Sequence, residues 1–372
     1  MRMQRLRESH LHLERPLPWN VYDEDGKLLL CKGYVISNRG QLESLLERGM
    51  FVDSEALKAT NPPECNTHLN PFELWHAMEM HLTVCLARPN RDGQFETDVR
   101  NVSREVVHLV DLSPDFALAT LIWMDQRKYP VVHSLHCAIL VHLVGRRMGW
   151  PQETMESLRC AALTMNIALL GLQLVLCNQS APLSPAQRQT IDGHPAKSRA
   201  MLEELGIKDP LWLDIVLDHH EYLDGKGYPN KIQTPRPEAL LLRTTDIFAA
   251  KVSARAYRRP MTAHQAAKSL FLDEGKDPRN PFPQALIKEV GIYPPGCYVK
   301  LANGETALVV KRGTQAASPL VLSIVNPIGI PLVQPIARDT STPGFEIQTA
   351  LPRDNVIVQL RPEAVWKTTA RA

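Results

Sequence analysis

The stretch that decides the reading is His219-His220-Glu221-Tyr222-Leu223-Asp224-Gly225-Lys226-Gly227-Tyr228-Pro229. A helix entering it from Leu211 sets His219 over Ile215 and Trp212, and His220 over Val216 and Leu213, so both imidazoles turn toward a core. Buried ring nitrogens need partners, and one bound cation satisfies two neighbouring histidines at once. The glycines that follow permit a tight loop whose backbone runs close to a ligand.

Three more residues extend this pattern. His133 begins a helical face shared or flanked by Cys137, Leu140, Val141, Val144 and Met148, so it also looks inward. His194 precedes Pro195, where a helix start or kink holds it near a junction. Asp246 lies in the segment Leu241 to Phe248, one carboxylate within an otherwise apolar helical surface. Taken singly, each has a bland reading: a histidine hydrogen-bonded in the core or at the surface, an aspartate that caps or bridges. Taken as a set, histidines and a carboxylate on separate inward faces form a mixed nitrogen and oxygen donor group suited to iron, manganese or zinc.

Working outward, a chain of 372 residues is long enough for two or three domains. Its 44% hydrophobic and 22% charged content is that of a globular protein and argues against bulk disorder. A net charge of +2, from 42 basic and 40 acidic residues, argues against nucleic acid or an anionic membrane as the dominant partner. Seven scattered cysteines without a Cys-x-x-Cys pair fit reduced thiols in the cytoplasm better than a disulfide framework or zinc ribbon. The N-terminal Met1 to Trp19 lacks the apolar core of a signal peptide. Cys160 to Cys177 carries no charge, but it includes Thr164, Asn166, Gly171 and Gln173, and no second such segment accompanies it. It is read as a buried core helix in preference to a membrane span.

Composition shifts divide the chain. Residues 1–56 read as a small α+β unit: strand-like Val21-Tyr22 and Leu28 to Ile36 flank the turn Asp23-Glu24-Asp25-Gly26, Ser37 caps a short helix with Leu42, Leu45 and Leu46, and Phe51-Val52 returns as a strand. Residues 57–71 read as a linker, 72–124 as a helical region and 125–292 as a helical domain holding the histidines. Residues 293–362 turn β-rich, with runs Tyr298 to Leu301, Ala307 to Lys311 and Leu320 to Val325 that suggest a small barrel or sandwich; 363–372 is a tail. The expected class is mainly α, a helical bundle flanked by a small N-terminal α+β unit and a small C-terminal β-rich unit.

The run HHEYLDGKGYP, an Asp on the following helix and then Arg255-Ala256-Tyr257-Arg258-Arg259-Pro260 resemble the HD-GYP domain, a branch of the HD phosphohydrolases. The flanks Leu17 to Asp53 and Pro294 to Arg338 are similar, more weakly, to those around some proteobacterial members. The resemblance implies an all-helical HD-type bundle that binds two or three iron or manganese ions and hydrolyses cyclic di-GMP to pGpG or GMP. It makes His133, His194, His219, His220 and Asp246 metal ligands. It assigns Tyr228, Gly227, Arg255 and Arg258 to the nucleotide, and leaves Lys226 at a variable position facing solvent.

The chain departs from the family where a His-Asp-x-Gly-Lys motif is due. Met165 stands for the histidine, Asn166 for the aspartate and Leu169 for the lysine, and no His-Asp dipeptide occurs anywhere in the sequence. Tyr129 stands where three-metal members have a glutamate, and Ala249 where many have a second aspartate. A two-metal hydrolase needs an anionic bridge to hold both cations and position a hydroxide. Neutral Asn166 cannot supply it, and the thioether of Met165 is a poor match for iron(II) or manganese. Iron or manganese is therefore expected at reduced occupancy, or in a mononuclear site on His194, His219 and His220, with His133 and Asp246 left at the other position. No residue is assigned as catalytic. The leading expectation is a degenerate module of cyclic di-GMP signalling that binds the nucleotide, or a partner such as a GGDEF-type protein, with impaired hydrolysis. The alternatives are an active phosphodiesterase with a reduced metal site, and a scaffold without ligand.

Overall fold

Prolines and side-chain caps set where the helices begin. In chain order the helices of the computed structural model are α1 (Pro71–Ala87), α2 (Phe95–Leu112), α3 (Pro114–Trp123), α4 (Tyr129–Arg147), α5 (Gln152–Thr164), α6 (Leu170–Asn178), α7 (Pro185–Glu204), α8 (Pro210–Asp218), α9 (Pro237–Val252), α10 (Ala263–Asp273), α11 (Phe282–Val290) and α12 (Pro362–Thr369). Proline occupies the first turn of α1, α3, α4, α7, α8, α9 and α11, where its missing N–H costs nothing. Asn70, Ser113 and Asp209 accept first-turn N–H groups, and Ser184 with Gln187 and Thr262 with Gln265 form reciprocal capping boxes. The structure describes residues 3–6, 17, 19–23, 25–30, 34, 51–53, 70–89, 93–124, 128–253, 260–275, 277–358 and 362–369.

Two units are distinguished, Met1–Leu69 and Asn70–Ala372. In the first, strands β1 (Met3–Arg5), β2 (Val21–Tyr22), β3 (Leu28–Leu30) and β4 (Phe51–Asp53) form an antiparallel sheet in the order β1-β4-β2-β3. The expected hairpin turn is present: Asp23 Oδ1 accepts the N–H groups of Asp25 and Lys27, and Gly26 takes φ +79°. The expected helix after Ser37 and the body of the expected linker lie outside the described residues.

The second unit is built around α4. Nearly all of this helix is buried, and its contacts run to α5, α9, α2 and α11. One continuous apolar cluster extends from Phe72 on α1, through α4 and α9, to Val321 in the C-terminal sheet. That sheet comprises β5 (Tyr298–Leu301), β6 (Thr306–Lys311), β7 (Leu320–Val325), β8 (Pro331–Asp339) and β9 (Ile347–Leu351), ordered β8-β7-β6-β5-β9. It is one open antiparallel sheet with β8 and β9 as edges, not the barrel or sandwich its strand runs suggested. Arg312 ties it to the helices through Asp115 and Glu289 at 2.7 Å each. The segment expected as a tail carries α12, whose Trp366 meets Phe116 edge to face. The mainly helical class holds.

The uncharged segment Cys160 to Cys177 is not one helix. It breaks into the buried end of α5, a turn at 165–169, and α6, which has no buried residue and exposes Leu174 and Val175. Packing therefore buries its first half and covers α6 only in part. No single helix among the described residues is long and apolar enough to cross a membrane.

Candidate metal centre

His194 owes its pose to the proline beside it. Pro195 lies inside α7 and has no N–H, so the carbonyl of Ile191, four residues earlier, loses its helical partner. The Nδ1–H of His194 donates to that oxygen at 2.6 Å. His219 does the same at the end of α8, where carbonyls are free for want of a following turn: its Nδ1–H donates to Val216 O at 2.7 Å. A carbonyl only accepts, so each proton sits on Nδ1 and each Nε2 carries a lone pair. These two Nε2 atoms face one another at 3.2 Å.

Two lone pairs at that separation repel unless a cation lies between them. Ions bound at about 2.0–2.1 Å by two imidazoles hold the nitrogens about 3.0–3.4 Å apart. His220 brings a third ring nitrogen into the same group, all three donor atoms lying within 4.8 Å of one another. Burial is the first cause that pushes all three imidazoles below their ordinary range, His219 to about 3, with neighbouring histidines adding to it for His219 and His220. They are thus neutral near pH 7, the form in which imidazole binds a metal.

The loop after His220 is held by Glu221, which is fully buried. Its carboxylate accepts N–H groups from Asn230 (2.6 Å), Lys231 (2.9 Å) and Ile232 (3.2 Å). That clamp folds the Asp224–Pro229 turn back on the tandem histidines and stacks Tyr228 on His220, ring centroids 4.6 Å apart. Gly227 packs against backbone: a Cβ there would fall 2.5 Å from Glu221 Cα and 2.6 Å from His220 O. Its role in the fold is to allow this approach. Lys226 is exposed, pairs with Asp224 and faces solvent. Beneath the loop the buried Arg243 forks onto Glu274 and lies 3.5 Å from the ring centroid of Tyr222.

A second donor group adjoins the first. His133 Nε2 lies 2.7 Å from Asp246 Oδ1, and its Nδ1 is 3.3 Å from Tyr129 Oη. Burial pushes the Asp246 carboxyl up, but the hydrogen bond with His133 and the electrostatic pull of the His133, His220 and His219 rings as they protonate in acid outweigh it and hold the group below the usual carboxylate range. Cys137, one turn after His133, completes the group, with Sγ 3.7 Å from His133 Nε2. Burial, reinforced by Asp246, pushes its thiol well above the ordinary value. Sequence reasoning saw Cys137 only as a neighbour on the face of His133, although the four-residue spacing already aimed both side chains at one point.

Met165, Asn166 and Leu169 sit in the turn between α5 and α6, all buried. Among the described residues the only carboxylate in either donor group is Asp246, which belongs to the second. Arg255 and Arg258, assigned above to the nucleotide, lie outside the described residues.

Residues 120–279, which hold both donor groups, match the HD domain family. This segment is an HD domain of the HD-GYP kind. A cyclic di-GMP phosphodiesterase of Pseudomonas aeruginosa is 26% identical over 212 residues, covering 56% of this chain and 51% of that protein. A 3'3'-cGAMP-specific phosphodiesterase of Vibrio cholerae is 29% identical over 140 residues, 37% of this chain and 30% of that protein. The chain thus spans about half or less of the length of these relatives. An HDG"Y"P protein from Bdellovibrio bacteriovorus shares the fold, with a TM-score of 0.52, 16% identity, and coverage of 77% of this chain and 98% of its own. HD domains are metal-dependent, and the two donor groups of this HD-GYP domain are where metal chemistry fits.

Proposed function

We propose that the chain is a degenerate HD-GYP-like module of cyclic di-GMP signalling, which binds the nucleotide or a protein partner at its metal centre and hydrolyses poorly or not at all. The observation that carries this is the pair of facing Nε2 lone pairs on His194 and His219. It calls for a cation, and the nucleotide's phosphates need one. His194, His219 and His220 would hold it, and His133 with Asp246 would serve a neighbouring position; iron or manganese is the proposed metal, at reduced occupancy or as a single ion. Such an ion supplies Lewis acidity toward a phosphate oxygen.

Around it the protein's own residues bind and orient. Tyr228, half-buried and stacked on His220, offers a ring face at the edge of the centre. Arg255 and Arg258 are proposed to meet the phosphates or guanine. Neutral Asn166, with Met165, takes the place of the group that would bridge two ions, which is the reason for proposing impaired turnover. A GGDEF-type protein is a proposed partner. A second reading, an active phosphodiesterase using a reduced centre, is favoured by the complete histidine trio and by the activity named for the relatives.

Calorimetric titration of cyclic di-GMP into manganese- or iron-loaded protein, with chromatography of the same samples for pGpG, separates the readings. Binding without product is the expected outcome. Turnover that His219→Ala abolishes establishes the second reading instead. Neither binding nor metal uptake leaves a scaffold.

A further inference from the structure

The group left at the second position is His133, Asp246 and a sulfur. We propose that Cys137 is a metal ligand, converting the position that lost its His-Asp dyad into a nitrogen, oxygen and sulfur site selective for zinc or a similarly thiophilic divalent ion. The inference rests on the reading of this centre as metal-binding and adds a ligand and a metal class to it.

Geometry carries it. His133 and Cys137 are four residues apart on α4, so their side chains leave the same face one turn apart. The donor atoms of His133, Cys137 and Asp246 all lie within 4.8 Å of one another. Cys137 Sγ is 3.7 Å from His133 Nε2. A tetrahedral zinc with bonds of about 2.3 Å to sulfur and about 2.0 Å to nitrogen spaces those atoms about 3.5 Å apart. The 2.7 Å contact between His133 and Asp246 must open by about half an ångström to admit the ion. His133 is already oriented for ligation by Tyr129 Oη at its other nitrogen, the kind of outer contact that fixes ring direction at metal sites.

Donor chemistry then sets the metal. A thiolate beside an imidazole and a carboxylate favours zinc over manganese or magnesium, which prefer oxygen. Nothing here needs the missing aspartate, because the anionic charge comes from Cys137 and Asp246. On binding, the S–H bond breaks, a sulfur–metal bond forms and the proton leaves to solvent, so uptake at this position releases a proton.

The test uses cobalt(II), which takes the same positions as zinc and shows a near-ultraviolet charge-transfer band when bound by thiolate. Full-length wild-type protein is titrated with cobalt, alongside Cys137→Ser, Cys137→Ala and His194→Ala, each checked for fold by circular dichroism. The expected result is two equivalents bound by wild type with the charge-transfer band. Both Cys137 variants should keep one equivalent and lose the band, and His194→Ala should lose one equivalent and keep it. Cobalt bound by wild type without the band, or a band unchanged in Cys137→Ser, overturns the sulfur ligand and leaves the histidine centre standing. No uptake by wild type of cobalt, zinc or manganese overturns the metal reading as well.

Discussion

Replacing Gly227 by alanine should damage the centre without touching a ligand. The added Cβ would stand 2.5 Å from Glu221 Cα, 2.6 Å from His220 O and 2.6 Å from Tyr222 N, whereas ordinary contact begins at 3.4 Å. All three neighbours are backbone, so no side chain can swing aside. Either the Gly227 turn or the segment 220–222 must move by about 0.9 Å. Overpacking of this kind costs about 1–3 kcal/mol. Because His219 and His220 lead directly into the displaced segment, metal affinity should fall by about 10–100-fold, as it does when the supports of ligands are disturbed. Isothermal titration with zinc or manganese reads the affinity, and urea unfolding reads the stability. Lys226→Ala, at an exposed neighbour, is the control and should stay within about 0.5 kcal/mol. A Gly227→Ala protein that binds metal and unfolds as wild type does would refute the close approach of turn and histidines.

Glu221→Gln keeps the shape of the clamp but turns an amide N–H toward backbone donors, so urea unfolding should show a loss of about 2–3 kcal/mol. Arg243→Met strips Glu274 of a buried partner and Tyr222 of its cation, with an expected loss of about 3–5 kcal/mol that Arg243→Met/Glu274→Leu should recover in part. Acid should destabilise the fold through histidines outside the donor groups. Burial, with Arg159, lowers His142 to about 4, and burial, with His133, lowers His136 to about 3, both from 6.5. The unfolded chain therefore binds protons that the folded chain excludes, so stability is full above about pH 6.5 and is lost as pH falls toward the folded values. For His142 the loss between pH 7 and pH 5 is about 2 kcal/mol, and His142→Gln should remove that share of the difference in urea unfolding.

Much of this fold was legible because its signals are local. The strands at Tyr298–Leu301 and Leu320–Val325 follow from β-branched runs between turn residues, and the helices from apolar spacing punctuated by proline. β8 was missed because Pro331 and Pro335 interrupt it and most of its side chains are exposed, leaving no alternation to read. The Cys160–Cys177 segment misled for the opposite reason: uniform apolarity says nothing of where a chain turns, and here it turns at Met165 and leaves α6 only partly covered. At the centre, the tandem histidines, His133, His194 and Asp246 were found as residue types on inward faces. That Pro195 frees the very carbonyl that orients His194 depends on three-dimensional geometry that residue type does not encode. So does the grip of Glu221 on Asn230, Lys231 and Ile232, nine to eleven residues away. Cys137 was in plain sight, but a lone cysteine on an apolar face reads as packing until Asp246 is placed beside it from a helix more than 100 residues downstream.

The most direct test of the centre is the metal content of the purified full-length chain, measured by elemental mass spectrometry after purification and again after loading with manganese, iron or zinc, for wild type and His219→Ala. The expected result is at least one bound ion per chain in wild type and loss of about one equivalent in His219→Ala, with the fold retained by circular dichroism. Wild-type protein that takes up none of the three metals, or a His219→Ala protein that retains the full complement, would contradict the assignment of His194, His219 and His220 to a cation.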